Sequence, residues 1–292
     1  LPGALELKIN NKILLPGTDY CVSPDAPTID TGFASYTFLT EKTLKNTSKS
    51  RQFLSHSFNH QLLVIDTGFK KTDEPKLREA AMILKISDKN LSWHVSRAQE
   101  QNTQVIVNVK RDAIPRKIKE VDIKIDAKFE ENYPTQNVVG YLPGRMIPDT
   151  FIVVGAHYDH LGMMGDKTYF PGANDNASGT SMVLELARYF SDTSSIRKYS
   201  IAFILFTGEE AGLLGSEYYT EHPLFPLIQI KFMLNLDMVG TGSDGIKVVN
   251  GSVLKKEFEL LKSINDEHQY LKAINERGEA ANSDHYFFYK NG

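Results

Sequence analysis

The sequence has 292 residues, 41% of them hydrophobic and 24% charged, with a formal net charge of -3 at pH 7. That balance is ordinary for a globular chain and excludes the disordered and fibrous classes, and the small negative charge gives no support to nucleic-acid binding. Apolar runs such as "IAFILF" fall far short of the roughly 18 to 20 residues needed to cross a bilayer, so no membrane span is expected.

At roughly 100 to 200 residues per domain, one large domain or two are expected. Cys21 is the sole cysteine, so neither an intrachain disulfide nor a thiolate zinc knuckle can be built. The opening "LPGALELKIN" has no initiator Met and no charged-then-apolar signal pattern, which points to a removed leader or a trimmed start. Export to the periplasm, cell surface or medium is the expectation. Asn-x-Ser/Thr matches stand at Asn46, Asn90, Asn176 and Asn250. They bear on glycosylation only in a eukaryotic secretory pathway, and chance is the better reading.

Residues 1 to about 112 mix short β-like runs, "ASYTFLT", "HQLLVIDTG" and "TQVIVNVK", with one helical segment around "EPKLREAAMIL". His56, His60 and His94 are isolated there, and a lone His is more often a surface or satisfied core residue than a ligand. The basic stretch "KRDAIPRKIK" contains a Pro and reads as a connector. From Val121, "VDIKIDAKF" alternates as a strand with one wet face should, and "TQNVVGYLPG" reads as a strand ending in a turn.

Three near-continuous apolar runs follow, "FIVVGA", "IAFILF" and "KFMLNL", too short for helices and suited to strands covered on both faces. Between the first two, Val183, Leu186, Ala187 and Phe190 recur at helical spacing in "SGTSMVLELARYFSD". Strand, helix, strand with buried strands predicts an α/β fold: a three-layer sandwich around a mixed, largely parallel sheet, beside a smaller β-rich N-terminal domain.

Ligands in open α/β sheets gather outside the carboxyl ends of the strands. Here "FIVVGA" is followed by "HYDH", "IAFILF" by "TGEE", and "KFMLNL" by Asp237, while Asp175 sits in the glycine-containing loop "PGANDNASG" before the helix. The arrangement predicts that His157, Asp159, Asp175, Glu209, Glu210 and Asp237 crowd together. Taken singly each is weak: a turn tolerates paired glutamates, and an Asp in such a loop is most often a turn former or cap. Jointly, three successive strand ends delivering a His or an acid to one edge argue against coincidence. Carboxylates so close repel unless protonated or neutralised, and one imidazole cannot balance five of them. A divalent metal can, and a His/carboxylate set without thiolates suits zinc, with manganese or cobalt tolerated. Asp159, two residues after His157, is placed to accept the imidazole's other N–H.

These residues resemble the M28 family of zinc peptidases, which includes bacterial aminopeptidases and the glutamate carboxypeptidases. The matching blocks are "NVVGYLPG", "VVGAHYDHLG", "GANDNASGTSMVLELAR", "LFTGEEAGLLGSEYY", "NLDMVG" and then "NSDHYFF", in family order over about residues 137 to 290. Residues 1–112 resemble, more loosely, a protease-associated domain, leaving 113–292 as the catalytic domain. The resemblance implies two zinc ions, with His157 binding one, Asp175 bridging both, Glu210 and Asp237 each holding one, Glu209 as general base and Asp159 orienting His157. Peptides are the implied substrates, cleaved next to a free N-terminus. Carboxypeptidase or glutaminyl-cyclase-like chemistry on the same scaffold, or a non-catalytic binding protein, are the alternatives; no G-x-S-x-G elbow of a serine hydrolase occurs. One feature departs from the family. Its second histidine ligand lies in a "YH" motif beyond the block matched by "NSDHYFF", which this chain does not reach, and His285 is an unlikely substitute. Either a C-terminal segment follows Gly292 or the second zinc is undercoordinated, and the first is favoured because the family's final strands and helix would be missing too.

Overall fold

The computed structural model describes residues 3–40, 55, 57–66, 75–95, 101–192 and 196–292. Asn46, His56 and the Glu74 start of "EPKLREAAMIL" lie outside them. The chain divides into two compact units, Leu1–Tyr133 with Leu161–Phe170, and Pro134–His160 with Pro171–Gly292. The division thus lies later than residue 112.

In the first unit the strands are β1 (Leu5–Ile9), β2 (Lys12–Leu14), β3 (Tyr20–Val22), β4 (Ile29–Phe33), β5 (Tyr36–Leu39), β6 (Leu62–Ile65), β7 (Met82–Ser87), β8 (Val105–Lys110) and β9 (Val121–Ile125). They form two sheets, ordered β2-β1-β9-β4 and β3-β8-β7-β6-β5. Strand β9 joins this unit because it pairs antiparallel with both β1 and β4; alternation showed a half-wet strand but not its partners. The expected helix around "EPKLREAAMIL" is a single 3-10 turn at Pro75–Glu79, and its apolar tail is the start of β7. All four residues of β6 are buried, Leu62 and Val64 towards one core and Leu63 and Ile65 towards another, the pattern of a central strand covered on both faces.

In the second unit, β10 (Val138–Leu142) runs antiparallel to β14 (Tyr199–Phe206), which lies parallel to β11 (Ile147–His157), itself parallel to β15 (Ile230–Asn235). Between β11 and β14 the chain makes the hairpin β12 (Met163–Met164) and β13 (Thr168–Tyr169), which packs in the first unit, where Phe170 stacks on Trp93 at 4.9 Å between ring centroids. Helix α1 (Ser178–Ser191) returns the chain to the sheet, followed by α2 (Leu214–Glu221), α3 (Lys255–His268) between the short paired strands β16 (Ile246–Val248) and β17 (Ile274–Glu276), and α4 (His285–Lys290).

Three layers follow from side-chain alternation. Val154, Ala156 and Phe203 face Val183 of α1. On the opposite face Val153, Ala202, Ile204 and Phe206 meet Tyr219 of α2 and Phe288 of α4. Asn176 and Asn250 are buried, which removes both as glycosylation acceptors. No helix among the described residues is long and apolar enough to cross a membrane.

The first turn of α1 lies against the end of β15. A Cβ on Gly179 would stand 2.2 Å from the Leu236 carbonyl oxygen and 2.5 Å from Asn176 Oδ1, and the backbone atom cannot swing aside. Gly179→Ala therefore costs about 1–3 kcal/mol of stability, read as a lowered urea midpoint; an unchanged midpoint would show that the two segments separate freely.

Candidate metal centre

The carboxyl ends of the parallel strands supply the site. His157 is the last residue of β11, Glu209 and Glu210 follow β14, and Asp237 follows β15. His157 is almost fully buried, and its Nε2 lies 3.3 Å from Asp175 Oδ1, 3.5 Å from Asp237 Oδ1 and 3.9 Å from Glu209 Oε2. Its Nδ1 lies 3.1 Å from the backbone carbonyl of Asp159 and 3.7 Å from that residue's carboxylate. The carbonyl is therefore the acceptor for the ring. The Asp159 carboxylate instead accepts the backbone N–H of Glu209 at 3.1 Å and of Glu210 at 3.2 Å, fixing the turn that carries both glutamates.

Asp175 is positioned by its neighbour. Buried Asn176 donates to the Leu236 carbonyl at 2.9 Å and accepts from the N–H groups of Gly179 and Met238 at 3.0 and 3.2 Å. Asn174 and Ser178 accept from the N–H groups of Gly240 and Val239 at 2.9 and 3.1 Å. The "GANDNASG" loop is thus stitched to the segment holding Asp237. Asp237 in turn accepts from Ser283 at 2.6 Å, and Asn235 donates to the same hydroxyl at 2.8 Å.

Two groups of metal-ligating type result among the described residues, His157 with Asp175 and Asp237, and His160 with Asp175 and Glu210; the ligand atoms in each lie within 4.8 Å of one another. Asp175 belongs to both, and Glu209 to neither. His285 is also in neither, its Nε2 lying 3.0 Å from the Ala280 carbonyl. The structure therefore brings together His157, Asp159, Asp175, Glu209, Glu210 and Asp237 and adds His160, Asn176, Ser283 and Asp284, which reading the sequence passed over. His160 stands in the quoted "HYDH"; the other three carry no signal a sequence alone would flag.

Charge crowding shows in the proton affinities. Burial pushes Glu209 up to about 8, opposed by His157 and reinforced by Asp284, Asp237 and Glu210. Glu210 is raised by burial and by Asp175. Burial works against the His157 imidazolium, but the Asp159, Asp237 and Glu209 carboxylates outweigh it and push His157 up to about 11. Burial likewise opposes ionisation of Asp237, yet His157 and Ser283 hold it below the usual range. The carboxyl groups of Asp175, Glu209, Glu210 and Asp237 thus outnumber the two imidazoles beside them, a crowding that a divalent cation fits: the donors are nitrogen and oxygen, and the buried Oε1 of Glu210 faces only His160 Nδ1, at 2.8 Å.

Asp284, at the start of α4, is fully buried, makes no capping hydrogen bond, and leaves both carboxyl oxygens unpartnered. Burial raises it to about 7. A folded-state carboxyl raised in this way keeps its proton where the unfolded chain has lost it, so its contribution to stability falls as pH rises from about 4 to about 7. Asp284→Asn removes that slope. In chelator-treated protein the variant should gain on wild type by about 1–3 kcal/mol between pH 5 and pH 8 by urea unfolding; an equal difference at both pH values would contradict it.

Comparison with known proteins follows the same geography. Peptidase family M28 matches residues 137–292. "Aminopeptidase YwaD" of Bacillus subtilis is 37% identical over 138 residues, 47% of this chain and 29% of that protein. A "Probable zinc metalloprotease" of Pyrenophora teres f. teres is 40% identical over 108 residues, 35% of this chain and 22% of that protein. The match thus spans less than a third of the length of either relative. Among solved structures, the zinc aminopeptidase BSAP from Bacillus subtilis superposes with a TM-score of 0.66 at 21% identity, covering 99% of this chain and 70% of that one. The aminopeptidase from Aneurinibacillus sp. strain AM-1 gives 0.63 at 20% identity, covering 99% and 69%. These two likenesses establish the fold, and with the match over more than half its residues the chain belongs to peptidase family M28.

Proposed function

We propose that the chain is a zinc-dependent exopeptidase that removes residues from the N-terminus of peptides, with two ions held by His157, Asp237, Glu210 and a shared Asp175. The observation that carries this reading is the division among the acids. Asp175, Asp237 and Glu210 fall into His/carboxylate groups, whereas Glu209 stays outside both at 3.9 Å from His157 Nε2.

Bound there, zinc would polarise a scissile carbonyl and bring the pKa of a water molecule down towards about 7. Glu209, with no metal to hold, takes the proton from the attacking water at a carboxylate oxygen and passes it to the leaving amine. Its side chain is only 13% exposed, so that proton is shielded from bulk solvent. The backbone carbonyl of Asp159 holds the His157 ring, while its carboxylate holds the main chain of the glutamate pair. The surplus of carboxylates also offers an acceptor for a substrate α-ammonium, which favours a free N-terminus. The relatives named aminopeptidase support that preference. The first unit is read as an accessory protease-associated domain on the strength of its β-rich composition.

Glu209→Gln should leave zinc bound and reduce turnover by about 100-fold or more, measured on aminoacyl reporter substrates with metal content assayed in parallel. Near wild-type turnover would remove Glu209 from the role of base. A panel of aminoacyl and carboxy-terminal reporters with and without chelator tests the wider reading, and an absence of chelator-sensitive hydrolysis from the wild-type protein would sink it.

A further inference from the structure

We infer that Asn137 is a positioning residue for the reaction: its side-chain amide clips together the two stems of the loop that carries Glu209 and Glu210. The inference rests on the reading above that Glu209 is the base. Asn137 opens the block "NVVGYLPG", and no step of the proposed reaction uses it.

The first observation is a bridge made by one side chain. Thr207, which leads out of β14, donates its backbone N–H to Asn137 Oδ1 at 3.1 Å, and Asn137 Nδ2 donates to the carbonyl of Gly215, in the first turn of α2, at 2.8 Å. Between these two anchors lie Gly208 to Leu214, with both glutamates. The antiparallel register pairs Val138 with Leu205, so one step further sets Asn137 opposite Phe206, where the loop leaves the sheet. The side-chain amide thus continues a hydrogen-bond ladder that the two main chains no longer make. Thr207 and Gly215 are both buried, so without Asn137 their backbone groups would have no water to turn to.

The second observation is the room made for this bridge. A Cβ on Gly215 would stand 2.5 Å from Asn137 Oδ1 and closer still to the Thr207 carbonyl oxygen. The approach of α2 to the end of β14 therefore depends on a residue with no side chain. Beyond the clip the loop is held by its own bonds: the Leu214 N–H to the Gly208 carbonyl at 3.0 Å, and the N–H groups of Gly212 and Leu213 to the Glu209 carbonyl at 2.8 Å each. Those bonds fix the shape of the loop, and Asp159 grips its glutamate turn from the end of β11. Asn137 fixes where the loop departs and rejoins, from the side of β10. Its neighbours brace the same edge: the Thr135 and Thr207 hydroxyls lie 2.6 Å apart, and Tyr158, next to His157, donates its hydroxyl to the Gln136 carbonyl at 2.7 Å. Losing the clip frees the loop to shift as a unit, and a displacement of about 1 Å at a reacting group costs about 100-fold in rate.

The test uses the whole chain, with zinc content matched to wild type. Asn137→Ala should lower kcat and kcat/KM together by about 10- to 100-fold and leave KM unchanged. Asn137→Asp keeps the shape and the acceptor for Thr207 but turns a carboxylate oxygen towards the Gly215 carbonyl. It should show the same loss, and it carries the comparison if the alanine variant does not fold. Amide hydrogen exchange gives a readout independent of turnover: peptides spanning residues 207–215 should exchange about tenfold faster in either variant, while those from β11 keep the wild-type rate. A purely structural role would lower the urea midpoint and leave kcat per folded molecule at the wild-type level, which would overturn the inference; unchanged exchange in the loop would overturn it too. Either result leaves Glu209 in its role, which Glu209→Gln tests separately.

Discussion

Parallel pairing is the constraint on which the rest of the site depends. Because β14, β11 and β15 run in one direction, the residues that follow them emerge at one edge, and the register is tight: His157 pairs with Phe206, and Gly155 with Asn235. Carried two residues further, that register sets Asp237 on the rung of His157. The glutamate pair needs only the Gly208 turn, at φ +66°, to come back over the same edge. A slip of one residue would send each of these side chains to the opposite face.

Such convergence is costly, and the surrounding hydrogen bonds are arranged to hold it. The groups that secure the site are mostly neutral: Asn176 spans from the Asp175 loop to the end of β15, and Ser283 rests on Asp237. The exception is Asp159, whose two oxygens each take a backbone N–H, so its carboxylate braces the turn of the glutamate pair while its charge also favours the His157 imidazolium. Buried like charges are tolerated at functional sites because apolar layers elsewhere supply the stability, here the paired cores on the two faces of the sheet.

The fold was legible where a physical pattern was local. Buried central strands announce themselves as continuous apolar runs, and α1 as helical spacing, so the three layers of the second unit and the edge at which chemistry collects could be read directly. Partnership between distant segments could not. β9 carried the alternation of a strand, but only pairing with β1 and β4 placed it in the first unit. "EPKLREAAMIL" had helix-forming residues, yet its Met-Ile-Leu end was drawn into a parallel sheet between β6 and β8. In the site, His157, Asp175, Glu209, Glu210 and Asp237 stood at strand or loop ends and were visible. His160 stood three residues from His157, but spacing within a loop says nothing of orientation, which depends on the bare carbon of Gly172. Asp284 looked like any acid at a helix start, where capping is the ordinary role; its lack of a partner emerges only once the chain is folded.

The route taken by residues Leu161–Phe170 has a practical consequence. This stretch leaves the second unit immediately after His160 and packs in the first: the Met164 sulfur accepts the N–H of Val22 at 3.3 Å, and Thr168 donates to the Pro16 carbonyl at 3.0 Å. The boundary at Tyr133 is therefore not a place where the protein can be cut into two self-sufficient pieces. A recombinant fragment starting at Pro134 would carry an orphaned apolar hairpin between His160 and Asp175, prone to aggregation, and its missing counterpart would be left with a hole where Met164 and Phe170 belong. Replacing the hairpin with a short polar linker is the modification that such dissection would require.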